Sequence, residues 1–501
     1  MKAVLCILDG CNPKSFKEAL EGEINKNPDN WFYKELSKAF YSECISSFPT
    51  ITPTEHATLM TGKHPNEHGI VGMQWGLRKN TSEIELINYM FINDLEAGRI
   101  HPKDNIIIRL IKRVLHLLNL RTWIDFTQHL WDFSVDLNDN HLTTETIFQH
   151  INTYNDPKKL IPKEKGKTIN FKEFIFRGIH LDNFIHSTIS SILRWRSLKS
   201  YLKKHFPKSP EFIVYWKTHT DKISHKHGPR SDKLKGEIIE GMDRAKNIIK
   251  YYHEKEEDVL LIITADHGQS EIGDNQNAVH MDELVNRTLQ NNIEVAINGR
   301  LIYFYLKHNV RNDVDFFNKV VTSLKKNSRI DQIIFKRSSS IMVITETQGQ
   351  PQELHTCDLS AYPYAIDRIK NLMSSSRVGD IVVTLKKGYS THENFKGDHG
   401  SLLDEDSRVP LLIHKFQKDI KIPKISLLSQ FTQAITNPIQ QRISRQEPII
   451  EIPLEVLSPE HLPRSIDIVP TILHYLGLPH DDSFPGKPLN NKIDHWYNNR
   501  R

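Results

Sequence analysis

Apolar residues gather in short runs along the chain, and three of those runs lead to an acid. "AVLCIL" runs into Asp9, "FIVYW" (212–216) leads to Asp221, and "VLLIIT" (259–264) runs into Asp266. "DIVVTL" (380–385) and "VPLLI" (409–413) have the same character. Short, continuous, β-branched runs suit strands covered on both faces, as in a parallel sheet. Between the second and third runs lies "KGEIIEGMDRAKNIIKYYHEK" (235–255), in which Ile238, Ile239, Met242, Ala245, Ile249 and Tyr252 recur at helical spacing. Strand, amphipathic helix and strand make a βαβ unit with a right-handed crossover. "SIDIVPTILHYLGLP" (465–479) predicts a further helix, capped by Asp467 and stopped by Gly477 before Pro479. The predicted class is α/β, with a largely parallel central sheet and helices on both faces.

Two stretches break the rhythm and read as inserted cap or lid segments. Residues 1–91, 201–275 and 385–501 then form the core. Residues 92–200 form a helical lid, and residues 276–384 a small α/β cap with its own strands, "RLIYFYL" and "SIMVITE". In the lid, "NIIIRLIKRVLHLLNL" (105–120) carries Ile107, Leu110, Ile111, Val114, Leu115 and Leu118 on one face and Arg109, Lys112, Arg113 and His116 elsewhere. A basic amphipathic helix of this kind can lie on a membrane surface. Such a face more often packs on the protein's own core, and that reading is preferred.

Composition narrows the function classes. The 501 residues are 38% hydrophobic and 25% charged, with 66 basic and 61 acidic side chains. Without a dense Lys/Arg block, a nucleic-acid polymer is not an expected partner. No apolar run is long enough for a transmembrane helix. "MKAVLCILDG" is interrupted by Asp9 too early for a signal peptide and reads as a strand. The four cysteines, Cys6, Cys11, Cys44 and Cys357, form no Cys-x-x-Cys pair. Together these features predict a cytoplasmic protein.

The candidate chemistry sits where the apolar runs end. Ligands of open parallel sheets collect outside the carboxyl ends of strands. One acid there is usually a turn former; three, two of them with a nearby histidine, suggest a metal site. In "DKISHKHGP" (221–229), Asp221 and His225 share a face if the segment is helical. In "ADHG" (265–268), Asp266 and His267 can reach neighbouring points. Carboxylate with imidazole suits zinc, and manganese is an alternative. In "FPTITPTEHATLMTGKHPNEHGI" (48–70), Pro53 opens a helix that ends at Gly62. Thr52 is then the N-cap, with Glu55 completing a capping box. The same helix terminus would stabilise a bound phosphate, and a neighbouring metal would activate the Thr52 hydroxyl.

Taken in order, "LDG", the 48–70 segment, "DKISHKHGP", "TADHG", "GDHGSLLDEDSRVPLLI" and "RSIDIVPTILHYLGL" resemble the alkaline phosphatase superfamily, and within it the type I phosphodiesterase/nucleotide pyrophosphatase group. The resemblance spans the core segments, about half of the chain, and implies an alkaline phosphatase-like fold. It also implies two divalent metal ions, zinc or manganese. Asp9, Asp266 and His267 would hold one; Asp221, His225 and His399 would hold the other; and Thr52 would attack phosphorus. Asp398, in the second Asp-His-Gly triplet, would be left to orient an imidazole. Three aspartates against two dications leave a net positive site for an anionic phosphate ester.

Diesterases of this group usually carry an asparagine where this chain has Glu55. A carboxylate facing phosphate would repel it, so Glu55 would cap the helix, bind a cation or favour another leaving group. Trp75, in "GMQWG", would stack on a substrate ring or fill the core. The absence of a Lys-x-Arg clamp favours diesters or nucleotide-type pyrophosphates over monoesters. A phosphomonoesterase with the same metals is the nearest alternative, and an inactive phosphate-binding protein is an alternative of another class. A sulfatase would need a Cys-x-Pro-x-Arg at the nucleophile, and a phosphosugar mutase would carry serine there.

Overall fold

The structure, a computed structural model, describes residues 1–78, 84–88, 142–147, 150–151, 175–177, 209–273, 278–422, 461–480 and 482–499. The amphipathic segment 105–120 and most of the 92–200 insertion lie outside these residues. No described helix is long and apolar enough to cross a membrane.

The central sheet takes its six strands in the spatial order Phe40–Ile45, Arg408–Phe416, Val259–Thr264, Lys2–Leu8, Phe212–Lys217 and Ile175–Arg177. Lys2–Leu8 pairs in parallel with both Val259–Thr264 and Phe212–Lys217. Arg408–Phe416 runs the other way, antiparallel to both of its neighbours. "VPLLI" is therefore the one reversed strand of an otherwise parallel sheet. Val259–Thr264 is buried at all six positions, which requires cover on both faces; alternation would leave every second residue wet. The helices Asp232–His253 and Ile468–Leu476 both pack against Lys2–Leu8. Gly241 brings the longer helix so close that a Cβ there would meet Leu8 Cδ2 at 2.5 Å. Each fully buried Val, Leu or Ile contributes about 1.5–3 kcal/mol relative to exposure.

A second sheet also has six strands, ordered Gln352–Glu353, Ser340–Thr345, Ile330–Arg337, Ile381–Leu385, Leu301–Leu306 and Ile293–Asn298. Every pairing in it is antiparallel. "DIVVTL" therefore belongs here and not in the parallel core; its apolar run is continuous because this sheet is also covered on both faces. Tyr303, Tyr305, Ile334 and Val382 pack on one side with Phe48, Ala57 and Trp75. Ile302, Phe304, Ile333 and Val383 pack on the other with Phe316, Val320 and Leu324. The two-residue period of a strand separates the two cores. One of them contains Phe48 and Ala57, on either side of Thr52, so the second sheet braces the segment that carries the hydroxyl.

The predicted helix near the C-terminus spans Ile468–Leu476 and ends at Gly477, which adopts φ 70°. Asp467 precedes it without capping it. Its carboxylate instead accepts from the backbone of Arg464 and Lys487.

Candidate active site

Register delivers the first acids. Ile7 pairs with Trp216 on one side and Thr264 on the other, so three parallel strands end level. Asp9 follows the first of them directly, and Asp266 lies just beyond Val259–Thr264. Lys217 leads into the helix His219–His227, which puts Asp221 and His225 one turn apart. Their Oδ1 and Nε2 atoms are 3.1 Å apart. Gly228, at φ 93°, stops that helix.

The two Asp-His-Gly triplets are joined by a short ribbon. Gly397 and Asp398 pair with Glu271 and Ser270, which lays the His399 ring on the His267 ring, with centroids 3.6 Å apart and an interplanar angle of 13°.

Each of the three imidazoles is turned the same way by a backbone carbonyl. His225 Nδ1 lies 2.7 Å from Gly397 O, His267 Nδ1 3.0 Å from Gly268 O, and His399 Nδ1 2.8 Å from Thr50 O. A carbonyl can only accept, so Nδ1 carries the hydrogen and a neutral ring presents its Nε2 lone pair to the site. A metal-ligating histidine is held in this way.

The carboxylates of Asp9 and Asp266 are divided similarly, with one oxygen tied and the other presented. Asp9 Oδ2 accepts from Trp216 Nε1 at 2.8 Å. Asp266 Oδ1 accepts from Gly10 N and His267 N at 3.1 and 3.0 Å. Asp9 Oδ1 and Asp266 Oδ2 are buried and have no hydrogen-bond partner. They lie 3.6 and 3.5 Å from His267 Nε2. Two orphaned carboxylate oxygens and an imidazole lone pair around one point make a donor set for a divalent cation, since burial without a partner is otherwise costly.

Electrostatics agrees for most of the cluster; His225 differs, since burial would lower its imidazole but Asp221 outweighs burial and raises it to about 9, so a cation would have to displace its Nε2 proton. Burial, and then the neighbouring Asp266 and Asp221, push the Asp9 carboxyl well above its usual range. Burial alone would raise Asp221 too, but His225 draws it down to about 2. Burial lowers the His399 imidazole to about 3, leaving its lone pair free at neutral pH.

Among the described residues, ligating atoms within 4.8 Å of one another fall into three groups: Asp9–Asp266–His267, Asp221–His267–His399 and His225–Asp398–His399. The first is the set expected from the sequence. The second expected set is spread over the other two groups, where it is joined by His267 and Asp398. Asp398 is more than a loop residue: it is buried and accepts from His399 N and Ser390 Oγ.

The family profile of the type I phosphodiesterases/nucleotide pyrophosphatases matches residues 3–408. The chain belongs to this family. Its members are metal-dependent hydrolases of phosphodiester and pyrophosphate bonds within the alkaline phosphatase superfamily. Among solved structures, human ectonucleotide pyrophosphatase/phosphodiesterase 5 is 13% identical with a TM-score of 0.53, and its murine counterpart 14% identical with a TM-score of 0.52. In both cases 99% of each chain is covered. An inactive variant of the murine protein in complex with AMP is 13% identical, with a TM-score of 0.51 over 97% of this chain and 98% of that one. At such identities the likeness shows the fold. A search of curated proteins gave no match.

Thr52 in this phosphodiesterase is the first residue of the helix Thr52–Thr61, and Ile51 takes the N-cap position. Thr52 therefore does not cap the helix, and no capping box forms. Its Oγ1 lies 3.0 Å from His267 Nε2, beside the two orphaned carboxylate oxygens. Glu55 turns away to the protein interior, where it is fully buried and accepts from Ser47 N at 2.7 Å. It is not placed to meet substrate. Arg368 holds Ser47 from the other side, donating to Ser47 O at 3.1 Å. Trp75 is fully buried among the core residues of the second sheet, so it is not available to stack on a substrate ring.

Three residues beside this cluster are not among those the sequence suggests. Trp216 is tied to Asp9. Gln269 donates to Asp221 and accepts from Ser224 Oγ at 2.7 Å. His56 places Nε2 at 3.6 Å from Asp266 Oδ2. His56 lies four residues after Thr52 on the same helix, a spacing that marks it as a neighbour of the hydroxyl.

Proposed function

We propose that the chain hydrolyses phosphodiesters or nucleotide-type pyrophosphates through a threonine nucleophile, with two divalent cations in the cluster. The observation that carries this reading is the placement of Thr52 Oγ1 at 3.0 Å from His267 Nε2, beside the unpartnered oxygens of Asp9 and Asp266. Asp9, Asp266 and His267 would hold one cation; Asp221, His225 and His399 would hold the other. Bound there, zinc or manganese would neutralise developing charge on the phosphoryl oxygens and make a hydroxyl or water nucleophilic at neutral pH.

The residues do the remainder. Thr52 opens the helix Thr52–Thr61, and a helix N-terminus favours an anionic phosphoryl group. Thr52 Oγ1 gives up its proton to solvent as it forms the new bond to phosphorus, the bond to the leaving oxygen breaks, and that oxygen departs with the electron pair and takes up a proton from solvent. Water then attacks phosphorus and releases Thr52 as the hydroxyl. The AMP bound to the inactive murine relative supports a nucleotide-type substrate.

Two assays test this. Bis-nitrophenyl phosphate should be turned over faster than nitrophenyl phosphate; the reverse preference would indicate a monoesterase. Thr52→Ala should lose at least about 10³-fold in kcat, in line with removal of a covalent nucleophile, while binding two cations per chain. Full activity in that variant would rule out the nucleophile.

A further inference from the structure

We propose that His56 and Trp216 form an aromatic brace that aims the two carboxylates of the Asp9–Asp266–His267 cluster, and so sets the affinity of that position for its cation. The proposal rests on the two-cation reading above.

The brace has contributions from two elements. Trp216 comes from the strand Phe212–Lys217, and its side chain is 6% exposed. Its Nε1 donates to Asp9 Oδ2 at 2.8 Å. His56 comes from the helix Thr52–Thr61, and its Nε2 stands 3.6 Å from Asp266 Oδ2. The two rings lie against each other, with centroids 4.3 Å apart and an interplanar angle of 55°. One packed pair therefore touches both carboxylates.

The two contacts act differently. Asp9 is held through Oδ2, which leaves Oδ1 aimed at the space beside His267 Nε2, 3.6 Å away. Asp266 already has Oδ1 fixed by two backbone amides. His56 therefore faces the oxygen that remains, Oδ2, which has no hydrogen-bond partner. A carboxylate oxygen has two lone-pair directions, one for a cation and one for an N–H donor. Without the indole N–H, Asp9 would be free to rotate, and the cation would have to order it on binding. Without the imidazole, Trp216 would lose the surface that holds its ring in place. Neither residue needs to touch the reacting phosphorus, so both are positioning residues. Outer partners of this kind are worth roughly 10–100-fold in metal affinity.

Trp216→Phe and His56→Phe test the idea, because both keep an aromatic ring in the stack while removing the ring nitrogens, Trp216→Phe at the further loss of one ring of the indole. The metal-stripped chain, wild type and variants, is titrated with Zn²⁺ and separately with Mn²⁺, and bound metal is measured after equilibrium dialysis. The wild type should take up two cations. In Trp216→Phe one of the two affinities should fall about 10–100-fold and the other should stay within about twofold. His56→Phe should weaken the same site, by about 10-fold or less. At saturating cation, kcat of both variants should return to near the wild-type value. Unchanged affinities, equal weakening of both cations, or a kcat that stays low at saturation would overturn the brace. Fewer than two cations on the wild type would overturn the two-cation reading instead. If one variant does not fold, the other decides by the same criteria.

Discussion

Glu55 shows how one side chain can be read correctly as unusual and still be placed wrongly. The sequence offered a helix cap, a cation ligand or a repelled phosphate. The structure gives it a different task, as one of three anchors on Ser47. Its carboxylate takes the Ser47 amide hydrogen, Arg368 takes the Ser47 carbonyl, and Thr58 Oγ1 donates to the Ser47 hydroxyl at 3.1 Å. The segment that leads to Thr52 is thereby pinned. Glu55→Ala should cost about 1–3 kcal/mol by leaving a buried amide unpaired, and kcat should fall because the Thr52 segment is loosened. Glu55→Gln keeps an acceptor for Ser47 and should retain most activity. The pair also makes a pH prediction. Burial raises the Glu55 carboxyl to about 8, although Ser465 and Ser47 pull it back. The folded chain therefore holds a proton that the unfolded chain releases near the ordinary value of 4.5. Stability lost to this group should grow as pH rises from about 4.5 to about 8 and then level off. Melting temperatures of wild type and Glu55→Gln, compared across that range, should diverge in favour of the variant. Parallel curves would show that the carboxyl titrates normally.

At the scale of elements, the loops carrying the Asp-His-Gly triplets depend on close backbone approach. Gly268 donates to Asp406 O at 2.9 Å, and a Cβ at Gly268 would meet Glu405 O at 2.1 Å and Arg408 O at 2.7 Å. Those are backbone atoms of the short helix Asp404–Ser407 and of the first residue of the reversed strand, which cannot swing aside as a side-chain tip would. Gly268→Ala should therefore displace the loop next to His267, cost about 1–3 kcal/mol as overpacking does, and reduce activity more than that loss alone would. Gly236 is the control. It lies within the helix Asp232–His253, and a Cβ there meets nothing within 4 Å. Gly236→Ala should stabilise the chain by about 0.5–1 kcal/mol, the ordinary helix preference, and leave turnover unchanged. Thermal melts and steady-state rates of the two variants separate the cases; equal effects would mean that the Gly268 contact is not tight.

Across the whole molecule, the site lies where the ends of the parallel strands, the Thr52 helix and the ribbon between the triplets meet, and it is braced by the second sheet. Asp9 and Asp266 are buried there with one unpartnered oxygen each, and burial without a partner would oppose folding unless a cation answered it. Each cation present at about 100 times its Kd adds ~2.7 kcal/mol to the folded state. Chelation should therefore lower the melting temperature by several degrees as well as abolish activity, and added zinc or manganese should restore both. A melting temperature unmoved by chelator would contradict cation binding in this cluster.

Periodicity and local chemistry were enough to read the α/β class, the strand–helix–strand unit around residues 212–264, the helix at 468–476, and the Asp221–His225 pair, because each depends on neighbours within a few residues. The family was legible too, since its motifs are short and ordered along the chain. Other features depend on contacts between distant residues. A buried apolar run is the same in a parallel and an antiparallel sheet, so "DIVVTL" could not reveal its partners. Glu55 and Trp75 lie near Thr52 in sequence, but their side chains face inward because Ser47, Arg368 and the second sheet receive them there. Trp216, His56 and Gln269 became part of the site only when three strands ended level and a helix crossed their ends. Spacing named the groups able to hold a cation; packing decided which oxygen of Asp9 and of Asp266 was tied and which was left to do so.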